Sequence, residues 1–292
     1  KIQPYADALN KKLINHPLAT QLEEEKYFTY LRNIRKSIEL FREKNISVQA
    51  ELSVMQQQYA VISGKMSVTV NGEEYTLQQA AKFLENTDRK LREEVYRKIN
   101  DRRLEDKETL NNLFDNLIKK RNQEALHAGF NNYRDYRFKE LGRFDYTKED
   151  CFQFHEAVKQ HVLPLVNIIY QQKKEKLGLN TLRPWDIDAE PQGINPLHPF
   201  KTSEELIEKS IACFTKLRPF FGDCLRKMRE MKHLDLESRK GKAPGGYNCP
   251  LPESGAPFIF MNAAGQMQDV ITILHEGGHA VHSFLAHSLK LN

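Results

Sequence analysis

Apolar residues recur at three- and four-residue intervals through most of this chain, the spacing that lays one apolar stripe along a helix. The pattern predicts helices over roughly 24–43, 77–84, 88–128, 147–177, 203–231 and 269–289. The fourth contains Pro164, which removes a backbone donor and crowds the preceding turn, so a kink is expected there. Other stretches read differently. Ser67 to Leu77 is a β-hairpin pattern centred on Asn71-Gly72, the residue pair that supplies the two positive-φ positions of a type I′ turn. A Pro- and Gly-rich passage over 183–199 breaks the helical pattern as a long connection, within which Trp185 anchors packing. From Pro244 to Asn262, turn residues give way to an apolar run suited to a short strand. The fold class expected is mainly α, a multi-helix lobe with a β-hairpin and a short strand region before the last helix.

That last helix carries chemistry. Val270, Leu274, Val281, Leu285 and Leu289 form its apolar stripe, Asp269 is an acid in its first turn, and His275-Glu276-Gly277-Gly278-His279 lies within it. Residues four apart on a helix lie one above the other, about 40° apart around the axis, so His275 and His279 can converge on one cation. Two imidazoles at this spacing with a glutamate beside the first form the zinc-peptidase pattern. Neutral imidazole is a good zinc ligand. Glu276 is badly placed to bind the same ion but can reach a water on it, which suits a general base. Gly277 and Gly278 each cost about 1 kcal/mol against alanine in a helix interior. A neighbouring backbone or helix packed closely against that turn is the expected compensation, with a local kink as the alternative. His282 is on the same face but some 10 Å along the axis from His275 at about 1.5 Å per residue, too far to share the ion. It suits a hydrogen-bonding role behind the ligands or an ordinary core position.

The chain resembles the oligoendopeptidase F group of the thimet oligopeptidase-like zinc metallopeptidases. The resemblance rests on Arg239-Lys240-Gly241-Lys242-Ala243-Pro244-Gly245-Gly246-Tyr247, on Pro257-Phe258-Ile259-Phe260-Met261-Asn262, and on Asp269-Val270 with His275 through His282. It extends less specifically to the hairpin and to the helix opening at Thr87-Asp88. Gly277 departs from the larger apolar residue usual in the family. The resemblance implies a metallopeptidase lobe that hydrolyses internal bonds of short peptides in a helix-walled channel, with one Zn2+ held by His275 and His279. It places the third ligand, a glutamate on a following helix, and a transition-state-stabilising tyrosine and histidine beyond Asn292. The chain ends thirteen residues after His279, so the third protein ligand is not present in it. Residues 86–292 are then expected to be the N-terminal part of a catalytic domain incomplete at its C-terminus, with 1–85 as an N-terminal helical region bearing the hairpin. By the same resemblance, Phe258 to Asn262 is expected to be an edge strand that pairs with peptide backbone, making Phe260, Met261 and Asn262 substrate-binding candidates. A buried structural strand is the competing reading.

Composition narrows the remaining possibilities. Hydrophobic content of 40% and charged content of 28% fit a water-soluble globular chain. The excess of 44 basic over 39 acidic residues is mild and unaccompanied by a basic tail, so no nucleic-acid partner is expected. No apolar run of about 18 residues or secretory core segment is present, so no membrane partner is expected. Cys151, Cys213, Cys224 and Cys249 have no Cys-x-x-Cys spacing, which suits a reducing, cytoplasmic setting. The chain begins at Lys1, which leaves a removed leader open. Short peptide substrates are the expected partners, and the oligomeric state is not legible. A zinc exopeptidase and a catalytically incompetent peptide-binding fragment stay open as alternatives.

Overall fold

The computed structural model describes residues 2–191, 193–194, 196–287 and 289. The first elements are helices α1 (Gln3–Ile14), α2 (Glu24–Leu40) and α3 (Asn45–Gly64), then the hairpin strands β1 (Ser67–Val70) and β2 (Glu73–Thr76). Helices α4 (Leu77–Ala81), α5 (Arg89–Glu105), α6 (Lys107–His127), α7 (Tyr133–Glu140), α8 (Lys148–Ala157), α9 (Leu163–Lys176), α10 (Ser203–Leu217) and α11 (Pro219–Glu230) follow. Strands β3 (Leu234–Glu237), β4 (Tyr247–Cys249) and β5 (Phe258–Ala263) precede the last helix, α12 (Met267–Ala286). The fold is mainly helical with small sheets, as the periodicity implies.

Where the pattern and the structure differ, the causes are local. The run over 203–231 breaks because Pro219 holds the residue before it out of the helical region, so Arg218 is extended and Pro219 opens α11. Helix α3 is unforeseen, because Ile46, Val48, Ala50, Leu52 and Val54 alternate with polar residues in a strand-like rhythm. Of these only Val48 and Leu52 are buried, four apart on one helical face. Ahead of Pro164 the disturbance takes the form of a π-helical turn, Val158–Val162, in which the Leu163 N–H reaches back to the Val158 carbonyl.

The chain forms two compact units, each discontinuous in sequence: residues 2–59 with 108–165, and residues 60–107 with 166–289. In the first, Leu40, Ala125, Ala128 and Tyr136 form a small core flanked by Phe130 and Tyr133. Its buried Glu124 accepts hydrogen bonds from Gln49 at 2.8 Å and from the Tyr136 hydroxyl at 3.2 Å.

The second unit contains both sheets. In the hairpin Val70 pairs with Glu73, and Asn71 and Gly72 have φ of 53° and 86°, as a type I′ turn requires. The other sheet has the order β3-β5-β4, with β5 parallel to β3 and antiparallel to β4. This corrects the edge-strand expectation for Phe258 to Asn262: β5 is the central strand. The reason is β3, whose Leu234 and Leu236 were too short a run to register as a strand. Along β5 the side chains alternate. Ile259, Met261 and Ala263 enter the main core with Phe214, Leu225, Met228, Ile273, Ala280 and Val281, while Phe258, Phe260 and Asn262 face the other way and are half-buried. The core is thus built from α10, α11, α12 and one face of the sheet. Trp185 packs against Tyr96 at 5.7 Å and under Arg97, as the sequence implied.

Candidate active site

The start of α12 is fixed to the end of β5 by one carboxylate. Asp269 Oδ2 accepts from the backbone N–H groups of Ala264, Gly265 and Gln266 at 2.8, 2.9 and 2.9 Å. Gly265 has φ of +100°, a conformation suited to glycine, which lets all three donors converge. The acid foreseen in the first turn therefore also sets the angle at which the helix leaves the sheet.

Two turns on, His275 and His279 stand on the exposed face of α12. Their Nε2 atoms are 3.1 Å apart and their rings cross at 85°, with centroids 4.7 Å apart. Two zinc–nitrogen bonds of about 2.05 Å at a tetrahedral angle would put the nitrogens about 3.3 Å apart, so the pair fits a zinc ion with little adjustment. Glu276, between them in sequence, is nine-tenths buried where the exposed face meets the core face. Among the described residues no group of three or more histidines, cysteines or acids is placed to hold a metal.

The two glycines of the motif have different surroundings. A Cβ on Gly277 would lie 2.8 Å from Cζ of Phe214, so the aromatic ring of α10 occupies the space a side chain would need. This is the close packing the sequence implied, and it accounts for glycine where a larger apolar residue is usual. A Cβ on Gly278 would meet nothing within 4 Å. His282 is exposed and lines a cavity of about 380 Å³ with Pro250, Leu251, Pro257 and Ala286.

The three substrate-binding candidates are not on one surface. Met261 is core, 1% exposed. On the opposite face Phe260 stacks on Tyr247 of β4 at 5.0 Å, and the Asn262 amide donates to the carbonyls of Ala243 and Gly245 at 2.8 and 2.9 Å. Strands β3 and β4 are the two edges of this sheet, and on β4 Tyr247 and Cys249 are exposed. Just before it, Gly246 packs against α12: a Cβ there would be 3.3 Å from Thr272 Cγ2. Thr272 lies one turn before His275, so β4 begins beside the histidine-bearing helix.

Sequence reasoning missed Asp235 and Lys242. Lys242 is buried, and its ammonium donates to Asp235 Oδ1 and to the carbonyls of Asp235 and Glu237 at 3.0, 3.0 and 2.8 Å. Burial outweighs this pairing and lowers the Lys242 pKa. At Asp235 the balance is reversed: hydrogen bonds from Arg239, joined by one from Lys242, outweigh partial burial and hold the carboxyl at about 2. The run Arg239-Lys240-Gly241-Lys242 carries part of the family resemblance, but nothing local in it marks its last member as buried.

A model of peptidase family M3 matches residues 82–291. The chain belongs to peptidase family M3. Members of this family are zinc metallopeptidases. Among curated M3 relatives, an oligoendopeptidase F homolog of Borreliella burgdorferi is 27% identical over 214 residues, 72% of this chain and 34% of that protein. The oligopeptidase PepF of Bacillus subtilis is 24% identical over 209 residues, 69% of this chain and 29% of that protein. The solved structure of PZ peptidase A with an inhibitor superposes with a TM-score of 0.93 at 26% identity, covering 99% of this chain and 51% of that one. An oligoendopeptidase F-type structure from Bacillus anthracis shows the same fold, with a TM-score of 0.93 at 23% identity over 99% of this chain and 53% of its own. The chain thus spans about a third of the length of these curated relatives and about half of these solved M3 structures.

Proposed function

We propose that this chain carries two zinc ligands and the general base of an M3 endopeptidase that cleaves internal bonds of short peptides. The observation that carries the reading is the convergence of His275 and His279 through Nε2 atoms 3.1 Å apart on an exposed helix face, with the buried Glu276 between them in sequence. The chemistry a zinc ion supplies there is Lewis-acid polarisation of a water and of the scissile carbonyl. His275 and His279 would hold the ion through Nε2. Glu276 takes a proton from the attacking water onto its carboxylate and gives it to the leaving amine, a transfer that leaves the glutamate ionised for the next turnover.

Substrate main chain pairs with the free edge of β4, which takes the part first assigned to β5. Tyr247, Asn248 and Cys249 would offer backbone groups without selecting side chains, as suits short peptides of varied sequence. His282 supports the site from behind. Phe260 and Asn262 act on substrate indirectly, through Tyr247 and the loop before it, and Met261 through the core.

On this reading 86–292 is the N-terminal part of a catalytic domain and 1–85 a helical region with the hairpin, supported by the M3 match beginning at residue 82. Activity is assigned to the full-length protein, because the chain spans about half of the solved relatives. A cytoplasmic setting is supported by Cys151, Cys213, Cys224 and Cys249 all being unpaired. Among the described residues no helix is long and apolar enough to cross a membrane.

The test uses an internally quenched peptide blocked at both ends and the full-length protein with and without a chelator. Internal cleavage that is lost on chelation and restored by zinc is the expected result. Cleavage confined to peptides with a free terminus would favour an exopeptidase, and zinc-independent peptide binding without cleavage would favour a binding protein.

A further inference from the structure

The segment between β3 and β4 is tied down along its whole length. At its start the Ser238 hydroxyl shares a buried 2.8 Å hydrogen bond with Thr76, and its carbonyl accepts from the Gln79 amide at 3.1 Å. Lys240 pairs with Glu74 at 2.6 Å, and the Gly241 N–H donates to the Gly64 carbonyl at 2.8 Å. Glycine is required at 64, because a Cβ there would lie 2.8 Å from the Lys242 carbonyl oxygen. The far end is held by Asn262 and by the contact of Gly246 with Thr272.

In the middle stands Lys242, its side chain 2% exposed. A buried ammonium is a costly fastening, and a well-packed apolar residue often serves stability as well or better. Stability alone therefore gives a weak reason for a lysine here. Its three acceptors belong to Asp235 and Glu237, between which the pairing of β3 with β5 slips in register. Its ammonium also lies 4.4 Å from the centroid of Phe260, the ring on which Tyr247 stacks. One charge thus connects β3, the segment and the aromatic pair that seats the first residue of β4.

We propose that Lys242 is a positioning residue for peptide binding, which through the segment 239–246 and the Phe260–Tyr247 stack sets the free edge of β4 where substrate backbone pairs. The inference rests on the β4 pairing proposed above and adds the device that holds that edge in place. Lys242 touches neither substrate nor metal, so its loss affects substrate affinity and leaves the chemical step intact.

The experiment compares the full-length enzyme with its Lys242→Met and Asp235→Asn variants, on a quenched peptide and on the same peptide N-methylated in turn at each amide near the scissile bond. Lys242→Met is expected to raise KM about tenfold with kcat within about threefold and zinc content unchanged, the size of one or two lost backbone hydrogen bonds. One N-methylation should cost the wild type about three- to tenfold in kcat/KM and cost Lys242→Met much less, because its pairing edge is already displaced. A general loss of folding would lower active enzyme and kcat together without altering the response to N-methylation. If Lys242→Met does not fold, Asp235→Asn carries the test and should raise KM in the same direction by a smaller factor. Unchanged KM together with the full wild-type N-methylation penalty, in whichever variant folds, overturns the inference. A wild type that cleaves peptides yet is indifferent to N-methylation at every position overturns the β4 pairing beneath it. Absence of cleavage by the zinc-loaded wild type overturns the endopeptidase reading itself.

Discussion

Helix α12 and the segment leading into β4 lie side by side but are specified in different ways. In α12 the two imidazoles converge because four residues separate them on a helix, and the acid that orients the helix is six residues before the first histidine. In the other region, Ser238 is held by Thr76 and Gln79, about 160 residues earlier, and Lys242 by a strand with a slipped register. The geometry of the histidine pair is local, whereas the surface that would receive a peptide is assembled from distant parts. Changes around α12 should therefore affect metal and chemistry, and changes around the segment should affect substrate affinity.

Core truncation tests the frame common to both regions and has the largest expected effect on stability. Met261→Ala should lower unfolding free energy by about 2–5 kcal/mol in denaturant titrations, the range for a buried methionine. A variant near wild-type stability would show that β5 is not the shared core strand. Within α12, Gly277→Ala should destabilise by about 1–3 kcal/mol, since the Phe214 ring must give way to the added methyl group. A gain in stability there would mean that α10 is not packed against the motif.

Acid sensitivity tests the hold on the segment through Asp235, which accepts from Lys242. Asp235, held at about 2 against an ordinary value of 3.8, contributes stability that is present above pH ~4 and lost as the pH falls through about 2. Asp186 behaves alike: burial alone would raise its carboxyl, but Arg89, Arg92 and the Arg183 N–H outweigh burial and lower it. Asp235→Asn should lower Tm at pH 7 and flatten the decline in Tm between pH 4 and 2. An unchanged acid limb would remove Asp235 from the account. The smallest effect is expected at Gly278→Ala, a gain of up to about 1 kcal/mol from helix propensity, because nothing lies within 4 Å of the new methyl group. A loss there would point to a neighbour close to the histidine face.

The same division explains what was legible in the sequence. His275, Glu276 and His279 could be placed on one helix because periodicity and spacing are short-range, and the Asn71-Gly72 turn followed from two residues. The two glycines of the motif suggested a close neighbour, which the structure supplies at Gly277 through Phe214 and not at Gly278. The central position of β5 was hidden because β3 offers only Leu234 and Leu236. Helix α3 was hidden by an alternation that burial does not follow. Lys242 was hidden because a lysine among basic residues looks solvated until its acceptors are known.

The central claim is that metal binding and proton transfer are divided between adjacent residues of α12. Its most direct test measures zinc content and peptide turnover together in the full-length wild type and its Glu276→Gln variant. Glu276→Gln should hold zinc at the wild-type stoichiometry while turnover falls by about 10²–10⁴-fold, the usual contribution of a positioned general base. Undiminished turnover by a zinc-loaded Glu276→Gln enzyme would contradict the account.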